Sequence, residues 1–405
     1  MKAKATKLLG FMIILLFALS AANTVRAIGV TTTVTAGSNP VGVAYDPATH
    51  EVFVANYQSD DVQIFSDSTN AVVADITGLP GVYDLAYDSG KGEMWVTGGT
   101  VAYAISDATK AVVGNVTNIL PNLTRIAYDS GKGEIFVSAS AYDLPTPDVV
   151  QVISDSTYKV VDNITTQTPF AMVYDSAKGE IFLSQSNGQA GGANVAVISD
   201  ATNSVITTIP VSGTGFLAYD SAKGEIFAQT GYTVTVISDS SNKVVATVSG
   251  VTFGWEGSLA YDSGKGEIYM NGENAVEVIS DSTNTVIGTW STGFTQPTDI
   301  AYDSGTGEVF AANSLIPGIV AVISDSSSGT SVSSTSPTSS ITSSTSSAPT
   351  STAPTTSTTA AATSPSSSQA SSTSLSFSYL LSVAVTAGVI LSLTLVSLRR
   401  TKIRA

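Results

Sequence analysis

Tyr83-Asp84-Leu85-Ala86-Tyr87 runs into Asp88-Ser89-Gly90-Lys91-Gly92 and out through Glu93-Met94-Trp95-Val96-Thr97. The outer runs are rich in aromatic and β-branched residues, which favour strands. The middle run is built of Asp, Ser and Gly, which favour tight turns. The whole therefore predicts a β-hairpin. Val101–Ser106, the turn Asp107–Lys110 and Ala111–Val116 follow it. That makes four short strands, A to D, with turn residues between them. No segment keeps a helical period for ten residues.

The unit recurs seven times. Its mark is a Tyr-Asp pair ahead of a hairpin and a Glu: Tyr45-Asp46, Tyr87-Asp88, Tyr128-Asp129, Tyr174-Asp175, Tyr219-Asp220, Tyr261-Asp262 and Tyr302-Asp303. Successive aspartates lie 42, 41, 46, 45, 42 and 41 residues apart. A period in the low forties with four strands per unit predicts propeller blades rather than a helical solenoid. The last unit stops after its third strand, at Val322-Ile323-Ser324-Asp325. Gly29–Thr35, ahead of the first unit, resembles the D strands Val72–Thr77 and Val244–Ser249. The N-terminal strand is thus expected to complete the last blade. The fold expected is all-β: a seven-bladed β-propeller of four-stranded antiparallel blades, closed by an N-terminal strand.

Three stretches do not read as globular. Residues 1–27 predict a signal peptide: Lys2, Lys4 and Lys7 precede the apolar run Leu8–Leu19, and small residues follow. An uncleaved N-terminal anchor is the alternative. Residues 327–374 are almost wholly Ser, Thr, Pro and Ala, a composition expected to form a disordered, O-glycosylated stalk. Residues 375–398 contain no charge, and the uncharged run Phe377–Leu398 is long enough to cross a hydrocarbon core of about 30 Å as a transmembrane helix. Arg399, Arg400, Lys402 and Arg404 lie in the tail 399–405, which the positive-inside rule keeps cytoplasmic. The propeller, residues 28–326, would then stand outside the cell on a single membrane span.

Motifs such as Val43-Ala44-Tyr45-Asp46, Glu51-Val52-Phe53-Val54-Ala55-Asn56 and Val236-Ile237-Ser238-Asp239 resemble the YVTN-type β-propeller repeats of archaeal surface-layer-like proteins and related bacterial proteins. The resemblance covers roughly residues 28–326. Phe53–Asn56 and Phe310–Asn313 come nearest to the signature tetrapeptide. It implies a cell-surface propeller and names no activity, because propellers carry many.

Composition narrows the chemistry. A formal net charge of -15 argues against nucleic acid as partner. The chain has no Cys and one His, so thiolate chemistry is excluded and His50 has no histidine or thiolate partner. His50 stands where the other units have Gly92, Gly133, Gly179, Gly224, Gly266 and Gly307, a turn position expected to need positive φ. The aspartates of the Tyr-Asp pairs are expected to accept from backbone N–H groups two residues on. A second series, Asp67, Asp107, Asp155, Asp200, Asp239, Asp281 and Asp325, is read in the same way at the C–D turns. The aromatics Phe53, Trp95, Phe136, Phe182, Phe227, Tyr269 and Phe310 are expected between blades. Lys91, Lys132, Lys178, Lys223 and Lys265 in the A–B turns disfavour a calcium site there, and no metal or cofactor is expected.

A–B and C–D turns are nearly identical from unit to unit, whereas B–C and D–A connections vary. Antiparallel geometry puts each pair on its own face, and the uneven face is the better candidate for binding. It offers Tyr83, Asp84, Arg125, Tyr142, Phe170, Phe216, Phe253, Trp255 and Asp299, with Glu256 and Phe294 beside them. Asn115, Asn122 and Asn163 begin sequons and are N-glycan candidates. The expected function is non-enzymatic recognition, adhesion or envelope scaffolding, with cell-surface glycans or proteins as partners. The alternative is an extracellular lactonase-like or lyase-like propeller enzyme. A quinoprotein would want cationic or metal-ligating residues at the channel, which the chain lacks.

Overall fold

The structure, a computed structural model, describes residues 29–324 except 118, 120–122, 140–147, 187–191, 214, 253–257, 274, 291–295 and 315–316. These all lie in the first of two units, Met1–Val332. The expected signal peptide, stalk, membrane span and tail lie outside the described residues. Among the described residues no helix is long and apolar enough to cross a membrane.

Twenty-eight strands, β1 to β28 in chain order, form seven four-stranded antiparallel sheets. Six sheets take consecutive strands. The second blade, for example, is β6 (Val82–Asp88), β7 (Glu93–Gly98), β8 (Val101–Ser106) and β9 (Val112–Val116). The seventh is made from both ends. β26 (Pro297–Asp303), β27 (Glu308–Asn313) and β28 (Ile319–Ser324) are completed by β1 (Gly29–Thr35). β1 pairs with β28 from Gly29↔Ser324 to Thr35↔Ile319, with a bulge between Val30 and Thr32. The closure expected from the sequence is therefore the closure observed. It also puts Gly29 and Ser324 side by side, at the end where the other blades make their C–D turns.

The core lies between blades. Phe53, Trp95, Phe136, Phe182, Phe227, Tyr269 and Phe310 are all buried, each in the third position of a B strand. Alternation along a strand sends neighbouring side chains to opposite faces, and both faces of these strands are covered by adjacent blades. Exposed large apolar residues are instead concentrated on outer strands, as in Val72, Val73, Val112, Val113, Val244 and Val245.

The A–B turns bear out the reading of the first aspartate series. All seven are fully buried. Each accepts from the N–H two residues on, at 2.7–2.9 Å, as in Ala48→Asp46, Gly90→Asp88 and Gly305→Asp303. The backbone then turns through positive φ, at Gly92 (67°) and its equivalents, and at His50 (59°). His50 thus tolerates the conformation its position demands, and its Nδ1 lies 3.2 Å from Asp67 Oδ2.

The second aspartate series does more than the expectation gave it. Asp107 packs beneath Gly92, where a Cβ would collide with its carboxylate, and accepts from the Tyr87 hydroxyl at 3.1 Å. Asp67 likewise accepts from Tyr45. These side chains join the two hairpin turns of one blade, and Asp155, Asp200 and Asp239 also accept from the backbone N–H of the next residue in their own turn. The motif tyrosines also reach across blades: the hydroxyls of Tyr87, Tyr128 and Tyr174 face Asp46, Asp88 and Asp129 of the preceding blade, and Tyr45 closes the circle onto Asp303. Lys91, Lys132, Lys178 and Lys223 reach forward, donating to the carbonyls of Asp155, Asp200, Asp239 and Asp281 in the next blade. The uniform face is uniform because the same contacts repeat around it.

Candidate functional site

The other end of the A strands breaks the repeat. Four residues before each motif aspartate the chain carries, blade by blade, Gly42, Asp84, Arg125, Ala171, Phe216, Ser258 and Asp299. The strands bulge here. β2 (Pro40–Asp46), β6, β10 (Leu123–Asp129), β14 (Thr168–Asp175) and β26 all shift register near this position. A bulge frees backbone groups and re-aims side chains. The freed N–H of Asp84 donates to Thr97 Oγ1 at 3.0 Å, that of Arg125 to Ser138 Oγ at 3.0 Å and that of Ala171 to Ser184 Oγ at 3.1 Å.

Three side chains of this column fasten one blade to the next. Asp84 Oδ2 accepts from the Ile126 N–H at 3.1 Å, Ser258 Oγ from Ile300 at 2.8 Å, and Asp299 Oδ2 from Val43 at 2.7 Å. Asp84 Oδ1 also accepts from Leu85 at 2.9 Å. Gly42 is required where it stands, because a Cβ would fall on the Tyr83 carbonyl oxygen. Thr298 adds a bond across the ring closure, to the Pro40 carbonyl at 2.8 Å.

Arg125 is the centre of the arrangement and is only 7% exposed. Its guanidinium carbon lies 4.6 Å from the ring centroid of Phe216, 5.0 Å from Tyr83 and 5.8 Å from Phe170. Phe170 and Phe216 meet edge to face, with centroids 5.1 Å apart. The rings come from blades two, four and five, so the packing of successive blades around the ring brings them together. The ion pairs among the described residues involve His50, Lys110, Lys178, Lys223 and Lys265, and none includes Arg125. Asp84 and Asp299 feel its charge through space while their oxygens bind backbone N–H groups. Burial pushes the Asp84 carboxyl up to about 7; Arg125 pulls it down and Asp299 opposes that pull. Burial also raises Asp299, against the hydrogen bond from Ser258 and the charge of Arg125.

Of the residues expected on the uneven face, Tyr83, Asp84, Arg125, Phe170, Phe216 and Asp299 thus belong to one neighbourhood. They line the start of the A strands rather than standing out on loops; Phe216, Arg125 and Asp299 are buried. Tyr142, Phe253 and Trp255 lie outside the described residues, as does Asn122. Asn115 and Asn163 are exposed on outer strands, β9 and β13 (Lys159–Thr165). The Asn163 amide oxygen accepts from Gln151 Nε2 at 2.8 Å. Among the described residues no cluster of three or more His, Asp or Glu could hold a metal ion. Sequence reasoning missed the lock between blades made by Asp84, Ser258 and Asp299. The irregular column four residues ahead of a regular one was the signal that could have found it.

No family model matches the chain, and no curated protein matches it. Among solved structures, hydrazine synthase from Kuenenia stuttgartiensis is similar in fold, with a TM-score of 0.61. The match is 13% identical and covers 72% of this chain and 97% of that one. At that identity the likeness speaks for the propeller fold alone.

Proposed function

We propose that this chain is a membrane-anchored, cell-surface propeller of the YVTN-repeat type that recognises a partner in the envelope or on another surface without catalysing a reaction. The observation that carries the reading is the contrast between its two faces. On one, the same aspartate, tyrosine and lysine contacts recur from blade to blade. At the loop-side ends of the A strands the repeat yields to a buried arginine among three rings. Repetition stabilises a ring, whereas departure from it on a rigid scaffold is where specificity is built. Gly29 and Ser324 meet at the uniform side, so the chain leaves the ring on the side opposite the variable loops. Glycans on Asn115 and Asn163 would then decorate the rim.

The test is a binding screen of the full chain, with its own glycans intact, against surface glycans and envelope proteins. The expected result is saturable binding that weakens when Tyr83 or Phe170 is changed to Ala. The rival reading, a lactonase-like or lyase-like enzyme, would draw on Asp84 and Asp299 as acid and base. An empty screen, together with lactone hydrolysis or lyase turnover lost in Asp84→Asn, would overturn the proposal in favour of that rival.

A further inference from the structure

The geometry points to Arg125 as the receptor for a carboxylate carried by an acidic sugar. This inference rests on the recognition reading above and names the ligand chemistry of the same site. A guanidinium has five N–H donors in a planar fork and no means of shedding its charge. Burying it leaves those donors in need of acceptors. Arg125 is more than nine-tenths buried, and among the described residues its guanidinium has neither a hydrogen-bond acceptor nor an ion-pair partner. The rings of Phe216, Tyr83 and Phe170 stabilise its charge, but a ring beside a cation does not replace an acceptor for each in-plane N–H. The nearest compensating charges, Asp84 and Asp299, are turned to the N–H groups of Leu85, Ile126 and Val43. Among the described residues the fork is therefore held in place without an acceptor.

A carboxylate is the planar monoanion that matches such a fork with two parallel hydrogen bonds. A phosphate dianion suits the site less well, because the charges of Asp84 and Asp299 act on it and, among the described residues, Arg125 is the cation that acts on both. A sugar is favoured as the carrier for two reasons. Its C–H groups can pack against the half-buried rings of Tyr83 and Phe170. Its hydroxyls are donors, and each carboxylate oxygen of Asp84 and Asp299 can accept more than one hydrogen bond. The chemistry described is that of a hexuronic acid.

The experiment is isothermal titration of the full chain with D-glucuronate at mildly acidic pH. D-glucose and N-acetylglycine serve as the neutral sugar and the carboxylate without a sugar. Glucuronate is expected to bind saturably, glucose not to bind, and N-acetylglycine to bind about tenfold more weakly or worse. Arg125→Lys keeps the charge but loses the fork, and should weaken glucuronate by about tenfold. Its melting temperature, measured alongside, shows that the ring is intact; should it fail to fold, Tyr83→Ala is the second variant and should also weaken glucuronate. Absence of saturation by about 50 mM, affinity unchanged in the folded variant, or equal binding of N-acetylglycine would each overturn the inference. A screen that finds only neutral glycans or a protein would overturn it too, while leaving the recognition reading in place.

Discussion

Deleting Gly29–Thr35 is expected to make the ring aggregate. β1 supplies the outer strand of the seventh blade, with six residue pairs to β28. It also contributes Val34, only 8% exposed, to the core shared with Phe310 and Val322. Burial of one valine is worth about 1.5–3 kcal/mol and each ladder hydrogen bond about 0.5–1.5 kcal/mol. Summed over the strand, the loss rivals the whole stability of an ordinary domain, about 5–15 kcal/mol. The removal also bares the edge of β28, whose Val320–Ile323 core run would become a template for pairing with other chains. Size-exclusion chromatography and a melting curve check this. A monomer with unchanged melting would mean that β1 does not close the ring.

The second large effect is on pH. Burial raises Asp84 and Asp299, as described, and also Glu134, Glu180, Glu225 and Glu308 at the starts of B strands. Burial raises Asp155, Asp200 and Asp239 in the C–D turns as well, with a nearby lysine opposing it in each. A carboxyl whose pKa is higher when folded binds its proton more tightly in the folded state. Its ionisation therefore costs stability above the folded pKa, and that cost is relieved as pH falls through it. The gain is complete near the pKa of an unfolded carboxyl, about 4. Stability should thus rise from pH 8 toward about pH 5, with melting higher by on the order of 5 °C at the acidic end. Asp84→Asn should flatten the part of the curve around neutrality. Melting that falls steadily from pH 8 to pH 5 would contradict these assignments.

The fold was legible because the propeller repeats its own instructions. Tyr87-Asp88 and its six counterparts set the period, and the missing fourth strand after Ser324 found its match at Gly29–Thr35. Local turn chemistry was legible for the same reason: an aspartate that caps its own turn needs no knowledge of its neighbours. Contacts across blades were not. That Asp107 would serve Tyr87 rather than its own turn depends on how two hairpins stack within a blade. That Lys91 would reach Asp155 depends on the angle between blades. At the candidate site, the residue types and the face were readable, but their burial was not. Tyr83, Phe170 and Phe216 are far apart in sequence, and the packing of successive blades places them around Arg125.

Recognition by the uneven side of the ring is tested most directly by comparing its two sides in one assay. Labelled full chain would be titrated onto isolated cell envelopes of its own source. One pair of variants, Tyr83→Ala and Phe170→Ala, alters the rings around Arg125. The other pair, Lys132→Ala and Lys178→Ala, removes forward-reaching lysines from the uniform side. The first pair is expected to weaken envelope binding by about tenfold, as loss of an aromatic contact at the centre of an interface does. The lysine pair is expected to bind as the unaltered chain does, once melting curves show all four to be folded. Binding lost with the lysines and kept without the rings would contradict recognition by the uneven side.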